Sequence, residues 1–170
     1  MMSFRRFLVA LAGGATVVLV PGVAAQGANE RANFRAVCPS PPSGYADCHA
    51  LVVTDRQGNP AASASPTGLS PATIASVYGF PTASTAGAGQ TIAIVDAYDD
   101  PTAENDLNVF SSQFGLPACT TANGCFSKVN QTGGRSYPRS DSGWALEISL
   151  DIEWAHAVAP GAKILLVEAS

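Results

Sequence analysis

Two apolar runs, Thr91-Ile-Ala-Ile-Val95 and Lys163-Ile-Leu-Leu-Val167, constrain this chain more than any other feature of its sequence. Short, continuous and rich in β-branched residues, they have the pattern of strands buried on both faces of a parallel sheet. Parallel neighbours cannot be joined by a hairpin, so the chain between them must cross over. It has the material to do so. Asp99-Asp100-Pro101 caps and opens a helix in which Ala103, Leu107, Phe110 and Phe114 recur at helical spacing, with Gly115 as its stop. Phe126-Ser-Lys-Val129 supplies a further short strand, and Gly143 to Pro160 reads as a second helix, ended by its proline. The order strand, helix, strand, helix, strand predicts an α/β fold: a parallel sheet with helices on its faces and right-handed crossovers. With little else to cover its faces, the sheet predicts an incomplete domain that folds poorly alone.

The stretch before Thr91 is of a different kind. Arg5 and Arg6, an apolar run from Phe7 to Val20, the breaker pair Pro21-Gly22 and the small residues Val23-Ala24-Ala25 have the shape of a secretory signal cleaved after Ala25. The run falls short of the roughly 20 apolar residues that span a bilayer, so a signal is preferred to a membrane anchor, and no later segment could span. Removing residues 1–25 leaves 145 residues with seven Lys and Arg against thirteen Asp and Glu, a net charge of −6. An acidic export gives no support to nucleic-acid or membrane-surface binding. Charged residues make up 13% of the chain and hydrophobic ones 46%, a globular composition with material for one core. Residues 26–77, rich in Ala, Pro, Ser and Gly, read as a linker or pro-segment remnant, with one strand candidate at His49–Thr54 and a short helix at Pro71–Tyr78. Cys38, Cys48, Cys119 and Cys125 form two locally spaced pairs, and an even count behind an export signal favours disulfides over a metal site. Zinc held with the help of His49 and His156 is disfavoured, because these histidines lack ligand spacing.

Chemistry concentrates in the second helix. At about 100° per residue, Ser149, Glu153 and His156 fall on one narrow stripe, the one expected to face water. Glu147 and Asp151 lie opposite, at about 160° and about 200° from Ser149, beside Trp144, Ile148, Ala155 and Val158. Two carboxylates one turn apart are therefore expected to point inward. Burying an ionised carboxylate without a partner is costly, so such a pair needs a reason. It either shares a proton for acid–base chemistry, or is a structural hydrogen-bonded pair or the partner of an unseen arginine; helix geometry alone does not choose. Asp96, at the end of its strand, lies with the opening turns of this helix at the edge where ligands gather in parallel sheets. It is compatible with a catalytic carboxylate and also with a turn former ahead of Asp99-Asp100-Pro101. His156 has no serine placed to use it as a base and reads as a surface histidine. Gly87-Ala-Gly89 precedes a strand where a nucleotide loop would follow one, and the sequon Asn130-Gln131-Thr132 carries no weight.

Thr91-Ile-Ala-Ile-Val-Asp-Ala-Tyr-Asp-Asp100, Phe114-Gly-Leu-Pro-Ala-Cys119, and Glu147-Ile-Ser-Leu-Asp151 followed by Ala159-Pro-Gly-Ala-Lys-Ile-Leu-Leu-Val167 agree in order, spacing and residue type with one family. Together they resemble the N-terminal part of the catalytic domain of the sedolisins, serine-carboxyl peptidases built on a subtilisin-like fold. The resemblance covers residues 78–170, with the stretch before it at most the tail of a family pro-segment. It implies that Glu147 is the general base and Asp151 the acid that holds it, where ordinary subtilisins use His and Asp. Adjoining carboxylates bind one proton more tightly than an isolated acid does, and such a base works best at acid pH. In the implied mechanism Glu147 takes the proton of a serine hydroxyl, the serine attacks a peptide carbonyl, and Glu147 returns the proton to the leaving amine. The family carries that serine in a Gly-Thr-Ser segment, with an oxyanion-stabilising Asp and a calcium site, all downstream of the matching region. No Gly-Thr-Ser occurs in this sequence. The chain is thus expected to hold half a triad, to be inactive alone, and to carry no cofactor of its own.

The implied function is that of a secreted, acid-acting serine endopeptidase with peptide or protein substrates and no nucleic-acid or membrane partner. The alternative is a secreted non-catalytic binding protein that keeps a remnant of the peptidase fold. A complete subtilisin-type hydrolase using Asp96 and His156 is set aside, because the histidine lacks glycine-rich surroundings and no serine elbow exists.

Overall fold

The computed structural model of the protein describes residues 33–61 and 68–170, and the expected signal, residues 1–25, lies outside them. In chain order the elements are β1 (Asn33–Ala36), β2 (Leu51–Thr54), α1 (Pro71–Tyr78), β3 (Thr91–Ala97), α2 (Ala103–Phe114), β4 (Phe126–Asn130), α3 (Ser142–Val158) and β5 (Lys163–Ala169). Local chemistry sets the helix ends. Ser70 caps α1 by accepting from Thr73 N at 3.2 Å, and Pro71 fits its first turn. Gly115 ends α2 with φ at 67°, a conformation that favours glycine. Asp141 caps α3, accepting from Gly143 N at 3.0 Å and Trp144 N at 3.1 Å. Among the described residues no helix is long and apolar enough to cross a membrane.

The two apolar runs pair side by side. β3, β5 and β4 form a parallel sheet in that order, and β1 and β2 a separate antiparallel ribbon. Register puts Ile92, Ile94 and Asp96 of β3, Ile164, Leu166 and Glu168 of β5, and Phe126, Lys128 and Asn130 of β4 on one face. Ala103 and Leu107 of α2 and Ile148 and Ile152 of α3 join the same buried cluster as Ile164, Leu166 and Phe126, so both helices cover that face. The strands are therefore not buried on both sides. Among the described residues the opposite face is open at β3, where Thr91 and Ala93 are exposed and Val95 is 66% exposed. The path from β3 to β4 passes over β5, and the path from β4 returns to it. Two connections that run in opposite directions with helices on one face have opposite hands, so only one of the expected right-handed crossovers is present.

α3 is rotated from the orientation its polar residues predict. Ile148, Ile152 and His156 are buried, while Leu146 and Leu150 face outward at 41% and 42% exposure. The stripe expected to face water instead meets α2 and its approach. Ser149 Oγ donates to Asp100 Oδ2 at 3.1 Å, and Glu153 is half-buried. His156 is fully buried, with Nε2 2.8 Å from the Pro117 carbonyl, and is no surface histidine. Polarity misled here because it reports a need for partners, which other side chains supply as well as water does.

Within residues 26–77 the β1–β2 ribbon is closed by the Cys38–Cys48 disulfide; a second disulfide joins Cys119 to Cys125. The ribbon's loop packs on the first turn of α3 so closely that a Cβ at Gly143 would stand 2.8 Å from Val37 O and 2.9 Å from Cys38 Sγ. Gly143→Ala is therefore expected to push the ribbon off the helix at a cost of about 1–3 kcal/mol. Thermal melting should show the loss, and limited proteolysis should cut residues 33–61 faster. An unchanged melt with an unchanged digest would show that the ribbon does not seat there.

Candidate functional site

Three carboxyl groups converge where β3 ends beside the first half of α3. Asp96 is the last inward-facing residue of β3, and its Oδ2 is buried without a hydrogen-bond partner among the described residues. Glu147 and Asp151, one helical turn apart, are half-buried on the edge of α3. Glu147 Oε2 is likewise buried and unpartnered, whereas Oε1 accepts from the backbone N–H of His49 at 3.2 Å. The chain therefore brings the ribbon's second half directly onto the candidate base.

The electrostatics of the three groups are those of acids crowded together with little water. Burial raises Asp96 from its ordinary 3.8 to about 6, with repulsion from Asp151 and then Glu147 adding to it. Burial also raises Asp151, and repulsion from Glu147 is its second cause. The coupling between Glu147 and Asp151 is thus through charge. What the arrangement can do chemically is bind a proton in a partly dry site, where neighbouring charges oppose ionisation.

The rest of the edge had no signal in the sequence. Tyr98 follows β3 with φ at 66°, an unusual conformation for a bulky residue. It is held by its N–H on Ala169 O at 2.9 Å, by Arg139 5.2 Å above its ring, and by Trp144 at 6.2 Å between ring centres. Tyr45, Tyr98, Pro138, Arg139 and Trp144 line a cleft of about 690 Å³ between the disulfide-closed loop and the sheet edge. None of the three carboxyls lines it, so the cleft adjoins the acidic site without containing it. On the other side of α3, Lys128 Nζ bridges Asp99 Oδ1 and Glu168 Oε1 and donates to Asp100 O at 2.7 Å. Cys119, Cys125 and His156 lie together in the manner of metal ligands, but the two sulfurs are bonded to each other and offer no thiolate. His49 is not among that group and meets the carboxyl site through its backbone N–H.

No protein-family model matches the chain. The chain is 37% identical over 106 residues to Kumamolisin of Bacillus sp. (strain MN-32), a match that takes in 60% of this chain and 17% of that protein. The chain thus spans about one-sixth of the curated relative it matches, and over that stretch the likeness supports kinship with the sedolisin peptidases.

The repulsion among the three carboxyls can be read by titration. Carbon-detected NMR of the Asp96 carboxyl should give a midpoint near 6. Glu147→Gln and Asp151→Asn should each lower it, because each removes a charge that opposes ionisation. The sign for stability follows from linkage: the contribution of Asp96 is fully present below its unfolded value and is lost as pH rises through about 6. An ordinary aspartate midpoint of about 3.9 would show that the groups do not meet.

Proposed function

We propose that this chain forms the N-terminal part of the catalytic domain of a secreted, acid-acting serine-carboxyl endopeptidase, with Glu147 as general base and Asp151 as the acid that holds it. The observation that carries this reading is the meeting of Glu147, Asp151 and Asp96 at one sheet edge, in a chain similar over 106 residues to Kumamolisin. The two disulfides support an oxidising, extracellular setting.

Mechanistically, Asp96 and Asp151 are both raised, so they take up protons as the pH falls. A protonated Asp151 turns from a repelling neighbour of Glu147 into a donor that can hold it in place. Glu147 then serves as acceptor for the proton of a serine hydroxyl supplied from beyond the matching region, and returns that proton to the leaving amine. Asp96 acts as a minor partner that keeps a third carboxyl, and its proton, beside the pair. Residues 26–77 act as a pro-segment remnant: the His49 N–H lies on Glu147 Oε1 and so competes with a hydroxyl for that oxygen. Peptide or protein chains are the substrates.

The test is an acid peptidase assay on the full-length gene product that carries this chain. Glu147→Gln and Asp151→Asn are each expected to lower kcat about 10⁴-fold, the scale of losing one member of a triad, with the melting curve retained. Either variant keeping about a tenth of the activity would remove the residue from its role. A wild-type product without acid peptidase activity would favour a non-catalytic binding protein.

A further inference from the structure

We propose that the contact between α2 and α3 is an acid-dependent latch, closed while Glu153 and Glu168 carry protons and loosened when they ionise. It lies on the edge of α3 away from Glu147 and Asp151, and uses none of the residues assigned to catalysis.

The latch is built from acids that face one another across three elements. Ser149 and Glu153 stand one turn apart on α3; Asp100, on the approach to α2, accepts from Ser149, and Asp106, in the first turn of α2, lies near Glu153. Asp100 and Glu168 are fully buried, and Asp100 N donates to Glu168 Oε1 at 2.8 Å, which ties this edge to β5. Asp99 and Lys128 of β4 complete the group, with Lys128 Nζ between Asp99 and Glu168. Other titratable groups near these elements are Asp96, the register partner of Glu168 on β3, and Glu104 of α2, whose carboxylate is taken by Thr121 N at 2.8 Å. His156 lies a turn beyond Glu153 with Nε2 on the Pro117 carbonyl. Five carboxyls, Asp99, Asp100, Asp106, Glu153 and Glu168, thus gather along this edge, and among the described residues Lys128 reaches two of them, Asp99 and Glu168.

These carboxyls divide by what solvates them. Asp100 Oδ1 accepts from Thr102 N at 2.9 Å, and its Oδ2 accepts from Ser149. Thr102 Oγ1 stands 2.9 Å from Asp100 Oδ1 and 2.7 Å from Asp106 Oδ2, sharing its one proton between them. Asp106 also lies in the first turn of α2, where the helix dipole favours a negative charge. Glu153 meets these two acids across a partly dry gap: burial first, then repulsion from Asp106 and Asp100, raise it from 4.5 to about 7. Glu168 is raised to about 7 as well, by burial and then by the neighbouring Asp99 carboxyl, against the pull of Asp100 N and Lys128, both of which donate to its Oε1. Both glutamates therefore bind protons more tightly in the folded chain than in the unfolded one. Their stabilisation is complete below about 4.5 and is lost as pH rises through about 7. Ionisation leaves Lys128 too few charges to balance the group, and the repulsion acts across the α2–α3 contact, where Phe110 and Trp154 also meet at 6.1 Å.

Hydrogen exchange of the α2 and α3 amides, corrected for intrinsic rates, tests the latch. Between pH 4.5 and pH 8 the opening equilibrium of these amides should rise on the order of tenfold for each pKa unit by which the two glutamates are raised. Glu153→Gln, which keeps the shape of the protonated side chain, should remove a large part of that rise. Asp106→Asn should remove a smaller part, because it eases the repulsion on Glu153. Glu104→Gln should leave the pH slope unchanged, and Asp96→Asn should subtract only the part centred near pH 6. If Glu153→Gln does not fold, the slope of Asp106→Asn alone decides. A flat wild-type profile, or an unaltered slope in Glu153→Gln or in a folded Asp106→Asn, would overturn the proposal.

Discussion

The arrangement rests on how α3 is seated. Its apolar ridge of Ile148 and Ile152, continued by the buried His156, drops onto the face of β3 and β5. A helix seated that way has two flanks, and this sequence places acids on both. Glu147 and Asp151 run along one flank toward Asp96; Ser149 and Glu153 run along the other toward Asp100 and Asp106. Neither flank is fully wet. The helix therefore delivers carboxyls into two zones where charge is expensive, and each zone compensates differently: one by carboxyls that bind protons more readily, the other by Lys128, short polar donors and a helix N-terminus.

Much of the α/β core was legible because its elements announce themselves locally. Thr91–Val95 and Lys163–Val167 are apolar runs of strand length, Gly115 marks the end of α2, and Pro160 the end of the central helix. Their sharing of one sheet also followed, since the segments between them are helices. What did not follow was which faces get covered. A strand that reads as buried on both sides, as β3 does, shows only that its residues tolerate burial, and Val95 remains open. Covering both faces requires helices on both faces, whereas α2 and α3 share one; that choice depends on handedness, which no single residue encodes.

The functional edge was legible in part, for the same reason. Helical spacing turned Glu147 and Asp151 toward the side of Ile148 and Ala155, and in the structure both are half-buried at the edge of α3 rather than fully inward. The opposite flank was misread, since Ser149, Glu153 and His156 were assigned to water when their partners are Asp100, Asp106 and the Pro117 carbonyl. These contacts span roughly 40 or more positions of sequence and have no local signature. β2 had its signal in His49–Thr54, but β1 and its pairing escaped notice: β1 is four exposed residues, and what matters about the ribbon is that its loop sits on Gly143 and places the His49 N–H on Glu147.

The two flanks also constrain how pH can be interpreted in this protein. Asp96 and Asp151 on one side and Glu153 and Glu168 on the other are all raised, by burial first in every case. Protonation therefore favours the folded chain on both sides of the same helix, and the direction agrees with chemistry that works in acid. A loss of activity toward neutral pH would have two sources that superimpose: a site that no longer holds its protons, and a helix that no longer holds its seat. They differ in where they act. The first is confined to the Glu147 edge and leaves the amides of α2 protected, while the second begins at the α2–α3 contact and moves Glu147 only because α3 is one rigid piece. A helix that carries both groups of acids makes the two flanks respond to pH in the same direction, through different protons.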